Sequence, residues 1–127
     1  MNYIIILLMV IGLAGADYIT GLIKAYCTND ICSKKMRTGG LNKLGEIVVM
    51  AAVCGLDIGI HFLGRFYDQQ SLADAAGAVT AIAVFAYIAV MELVSILENY
   101  AEINPEAHWA LTLIKKLRNF NDNQEEK

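Results

Sequence analysis

Five acids and a histidine stand where the neighbouring residues are almost wholly apolar: Asp17, Glu46, Asp57, His61, Asp74 and Glu92. A carboxylate in such a run suits three kinds of chemistry: passing a proton, pairing with a cation, or lining a wet passage through an apolar medium. At the centre of a helix in a bilayer an acid costs roughly 2.5–3.5 kcal/mol, and less near the ends. Asp17, Glu46 and Glu92 fall toward one end of their runs, near Lys24 and Lys43, whose long side chains reach an interface. Asp74 falls at the other end, near Arg65. Asp57, with His61 one helical turn on, lies closest to the middle. That pair has the composition of a proton relay or of half a metal site, and an internal ion pair is the simpler reading. No His/Cys/Asp set has metal-ligand spacing, and no Gly-x-Gly-x-x-Gly or Walker loop occurs. Ser33 lies near basic residues without a base or a triad order, and His108 reads as a surface residue. Neither catalysis nor a cofactor is expected.

The elements that hold these groups are long apolar stretches. One runs from Tyr3 to about Ile23, where Lys24 stops it; others run from about Leu44 to Gly64 and from about Leu72 to Leu97. About 21 residues of helix cover roughly 31 Å, the thickness of a bilayer core. The third stretch is longer and needs tilt or an emerging end. Buried helices of a water-soluble bundle are the alternative, but three such stretches would leave almost no polar face. Composition agrees: in 127 residues, hydrophobic types make up 57% and charged types 18%, with a single Pro. Soluble domains average roughly 45–50% and 25%, and about six prolines would be usual at this length. Ten Lys+Arg against 13 Asp+Glu leave a net charge of −3, which excludes the basic footprint of a nucleic-acid binder. Three Cys, one of them Cys54 in an apolar run, exclude a secreted disulfide scaffold. The fold class expected is an all-α membrane protein with three transmembrane helices and a C-terminal amphipathic helix.

Ala14-Gly15-Ala16 resembles a signal-peptide cleavage site, but Met1-Asn2-Tyr3 has no basic residue, so the first stretch is read as a retained span. Residues 24–43 form a basic connection holding Lys24, Lys34, Lys35, Arg37 and Lys43 against one Asp30. The second connection has only Arg65, and the tail has Lys115, Lys116, Arg118 and Lys127. The positive-inside rule then puts the N-terminus outside and both the basic connection and the C-terminus in the cytoplasm. Cys27 and Cys32 would there be free thiols in a reducing compartment. The three-span domain so covers 1–104. Pro105-Glu106 reads as a helix start. Over 105–120, Trp109, Leu113, Ile114, Leu117 and Phe120 recur at helical spacing opposite Lys115, Lys116 and Arg118. Such a helix lies in the membrane interface or docks on a neighbouring subunit. The polar 121–127 tail is expected to be frayed or disordered.

At about 100° per residue, Glu46, Val53, Asp57, His61 and Gly64 share one stripe. Gly55 and Gly59 form a Gly-x-x-x-Gly pair on the opposite side, and Ala73, Gly77 and Ala81 repeat small residues every four positions. Small residues let helices approach closely in lipid. A polar stripe backed by a packing stripe suits an oligomer around wet space, and equally a tight single-chain bundle whose acids pair internally.

Three segments in order resemble the toxin-secretion/phage-lysis holin family. They are Asp17-Tyr-Ile-Thr-Gly21-Leu-Ile-Lys24-Ala25, then Ser33-Lys34-Lys35-Met-Arg37-Thr-Gly39-Gly40-Leu-Asn-Lys43, then Glu92-Leu-Val-Ser95-Ile-Leu-Glu98-Asn99. The resemblance covers about Asp17 to Pro105 and departs after the Glu-Asn, where the family often carries a Gly and a second Pro. It implies a bacteriophage holin: a homo-oligomer in the bacterial inner membrane that opens lesions, with an endolysin or a toxin as released cargo. On that basis the stripe of Glu46, Asp57 and His61, with Asp74 and Glu92, is expected to face a pore or pair subunits after assembly. A small proton- or cation-coupled transporter, or a non-conducting anchor that recruits a partner, are the other readings; no internal repeat supports the first.

Overall fold

The computed structural model describes residues 3–125, and side chains through 119. It is all-helical: α1 Tyr3–Cys27, α2 Ser33–Phe66, α3 Gln70–Ile103 and α4 His108–Glu125. The first three are transmembrane helices by length and hydropathy. Their side chains are distributed as in lipid. Ile4, Leu8, Val48, Val49, Phe62, Leu72, Val79 and Ile82 all point outward and are exposed. The core they leave behind is thin: Val10, Met50, Cys54, Ala81 and Ile88, flanked by Ile6, Leu7, Ile47, Val53, Val84 and Phe85. In water, turning out that many large side chains would forgo about 1.5–3 kcal/mol each. In hydrocarbon it costs nothing, and packing falls to small residues. Ala14, Ala73 and Ala81 are buried accordingly, and Gly64 abuts Ala73 where α2 meets α3.

Two of the connections use the same device. Asn29 and Asp68 each take a positive φ of 54°. The amide of the next residue reaches back in each case, Asp30 to the Ala25 carbonyl at 3.0 Å and Gln69 to the Gly64 carbonyl at 2.8 Å. These are left-handed helix exits that satisfy terminal carbonyls, and Asn and Asp tolerate them better than other side-chain-bearing residues. Pro105 ends α3, and a short turn from Asn104 leads into α4 three residues later than Pro105-Glu106 suggests.

The helices outrun the apolar stretches. At 34 residues each, α2 and α3 are about 51 Å long, some 20 Å more than a bilayer core. In α2 the excess is the basic segment, helical from Ser33 where the sequence suggests a connection through 43. Gly39-Gly40 suggests a loop, at about 1 kcal/mol per helical Gly. With no Pro nearby and Gly40 facing the Tyr18 ring, the helix runs through. Likewise α4 continues to Glu125, through part of the segment expected to fray. It folds back on α3 with Ala107, Ala110 and Ile114 buried, Leu117 half-buried, and Tyr100 and Trp109 rings 5.7 Å apart. Trp109, Leu111 and Leu113 stay exposed, so the buried face is rotated from the one the spacing suggests. Phe120 lies outside the described side chains.

Candidate functional site

Polar groups inside the bundle stack at three levels. At the basic end, one ammonium serves three carboxylates. Lys43 Nζ lies 2.8 Å from Asp17 Oδ2, 2.5 Å from Glu92 Oε1 and 3.7 Å from Glu46 Oε1. The contacts come from all three spans: Asp17 from α1, Lys43 and Glu46 one turn apart on α2, and Glu92 on α3. Two turns beyond Glu92, Asn99 donates to Asp17 Oδ1 at 3.1 Å and to Thr20 Oγ1 at 3.3 Å. Glu92 is 1% exposed and Asp17 9%. The second oxygens of Glu46 and Glu92 are buried without a partner among the described residues. Three carboxyl groups from three spans thus share one ammonium.

Midway, Tyr3 Oη donates to Asp57 Oδ2 at 2.9 Å. Asp57 is buried between α2 and α3 because Gly77 makes room: a β-carbon there would overlap the Asp57 carboxylate. At the α2–α3 turn, His61 Nδ1 lies 2.7 Å from Asp74 Oδ1, and the Gln70 amide reaches both at 2.8 Å. His61 therefore pairs with Asp74 on the next helix, in place of Asp57 on its own. The i, i+4 spacing puts His61 and Asp57 on one face, but Asp57 is drawn inward by the Gly77 gap and the phenol. Asp74 finds His61, not Arg65, as its partner. Outside the spans the pairs are Lys24–Glu102 and Lys35–Asp30, with Arg118–Glu98 joining α4 to α3.

The small residues divide into two sets. Ala73, Gly77 and Ala81 are consumed within the chain at the α2–α3 contact. Gly55 and Gly59 are exposed, with no atom near enough to meet an added β-carbon. Sequence reasoning did not single out Tyr3 or Gln70, nor give Lys43 its place at the hub. For Lys43 a signal existed: it precedes Glu46 by three residues, a shared helical face once the basic segment is helix.

The motif residues, scattered in sequence, gather at the basic end. Asp17, Gly21, Lys24, Lys43, Ser95 and Asn99 line one cavity, and Glu92 is bonded to Lys43. Gly21 faces the Asn99 amide. Ser33 opens α2, Gly40 packs toward Tyr18, and Glu98 holds Arg118. Cys27, Cys32 and Cys54 are free. No curated protein and no solved structure matches this chain. The model of the bacteriophage holin family matches residues 1–121, nearly the whole length, and the chain belongs to that family.

Proposed function

We propose that this protein assembles in the bacterial inner membrane and opens lesions through which an endolysin, or a toxin, leaves the cytoplasm. The N-terminus lies outside, and the basic extension of α2 and the C-terminus lie in the cytoplasm. The observation that carries this reading is the buried ladder of acids, closed off by contacts within one chain. Asp17, Glu92 and Asp57 are engaged by Lys43, Asn99 and Tyr3 of the same chain, and on this reading the closed single chain is the stored state. Separating the helices strips those partners and leaves carboxylates that hydrocarbon cannot solvate. Water, or the same groups of other copies, then becomes their better partner.

Assembly also needs a face that the closed chain leaves free. Gly55 and Gly59 on α2 supply one at which helices of two copies approach closely. The reading assigns the carboxylates a structural and electrostatic part, with no chemical step. Inducing the chain in bacteria, with and without a cytoplasmic endolysin, tests it. Abrupt death with release of the enzyme is expected. Intact cells, or ion leakage with the endolysin retained, would refute it in favour of an anchor or a transporter.

A further inference from the structure

Beside the Lys43 cluster, a cavity of about 330 Å³ opens among α1, the α1–α2 turn, the start of α2 and α3. Its polar lining includes the carboxylates of Asp17 and Asp30 and, outnumbering them, the ammonium groups of Lys24, Lys35 and Lys43, with Tyr18, Thr28 and Cys32. The space is large enough for several waters or one small polar headgroup. Three ammonium groups against two carboxylates favour an anion. Lys43 is committed to Asp17 and Glu92, but Lys24 and Lys35 are held only by acids that are themselves more than half exposed, Glu102 and Asp30. Such pairs exchange partners readily.

The start of α2 adds to the positive field. Cys32 stands at the N-terminal end of the helix, where the backbone dipole favours negative charge. The amides of Lys35 and Lys34 hold the Cys32 thiol below the usual thiol range, a sign that this turn favours negative charge. Lys35, and more weakly Lys24, hold the Asp30 carboxyl below the usual carboxylate range, so both ammonium groups add to the positive field there. Leu22, Ala25 and Met36 supply its apolar lining, with Leu22 lying within the first apolar stretch. The cavity thus stands where the apolar spans end.

We propose that this cavity binds a phosphodiester anion, supplied by the headgroup of an anionic phospholipid of the phosphatidylglycerol class. The phosphate oxygens accept from Lys24, Lys35 and the Tyr18 hydroxyl, displacing Glu102 and Asp30 into solvent, and the acyl chains leave past Leu22 toward the apolar stretch of α1. A zwitterionic headgroup is disfavoured because its own ammonium would meet the lysines. The proposal goes beyond lesion formation and stands or falls separately from it.

Native mass spectrometry of the full chain, released from detergent with equal amounts of phosphatidylglycerol and phosphatidylcholine, tests it. The expected result is preferential retention of phosphatidylglycerol, lowered about tenfold in the Lys24→Gln/Lys35→Gln double variant. Lys115→Gln/Lys116→Gln on α4 should retain it. Equal adducts of the two lipids on the unaltered chain would overturn the proposal, and that comparison requires no variant to fold. Displacement of the lipid by millimolar inorganic phosphate would overturn the lipid assignment, since the site would then take the soluble anion.

Discussion

Replacing Lys43 with Met removes the ammonium while keeping a flexible side chain of similar length. Asp17 and Glu92, at 9% and 1% exposure, then lose the one cation they share. Removing one partner of a buried ion pair costs about 3–5 kcal/mol, because the remaining charge stays buried and uncompensated. At about 1.4 kcal/mol per tenfold, the closed bundle loses roughly two to three and a half orders of magnitude in population. Unfolding the detergent-solubilised protein by titrated denaturant, followed by helical circular dichroism, reads that loss directly. Adding Glu92→Gln to Lys43→Met neutralises the more enclosed acid, so the double variant should regain at least about 1 kcal/mol, a coupling beyond additivity. In cells, Lys43→Met should bring lysis forward. An unchanged unfolding midpoint for Lys43→Met would refute the claim that this ammonium holds the three spans together.

Gly77→Ala, which drives a methyl into the Asp57 carboxylate, should destabilise the α2–α3 pair by about 1–3 kcal/mol in the same titration. Gly59→Ala, placed in open space, should stay within about 0.5 kcal/mol yet reduce cross-linking between copies in membranes. Tyr3→Phe removes the donor from a buried carboxylate and should cost about 1–3 kcal/mol; no loss would mean that Asp57 is satisfied by other means. On α4, Ile114→Ala should loosen the helix by about 2–5 kcal/mol and admit protease near Trp109. Arg118→Gln, which breaks only an exposed pair, should change stability by less than about 1 kcal/mol.

The helices are legible in the chain because their causes are local. Apolar runs of about a bilayer's thickness, with no Pro before Pro105, leave helix as the form that satisfies every backbone group in lipid. Their ends are less legible, since Gly39-Gly40 has loop composition and yet continues as helix, with Gly40 packed toward Tyr18, a neighbour that only the tertiary fold supplies. That boundary hid the hub: Lys43 in a connection is a topology signal, whereas Lys43 on a helix is the counter-ion of Glu46 and its neighbours. Which acids share a face follows from angular spacing, but which partner each takes does not. His61 turns to Asp74 and Asp57 to Tyr3 because a missing side chain on another helix, at Gly77, sets where Asp57 fits. The family motifs read as separate strings until the three spans pack and Asp17, Lys43, Glu92 and Asn99 meet.

Cys54 offers the most direct probe of the account, being native, 4% exposed and one turn from Asp57 at mid-bundle. In a Cys27→Ser/Cys32→Ser background that still lyses, a membrane-impermeant maleimide applied before and after lysis begins reports whether water reaches that level. The account predicts no labelling of Cys54 in the stored state and rapid labelling once lesions open. Labelling from the outset, or a thiol still protected after the endolysin has escaped, would contradict it.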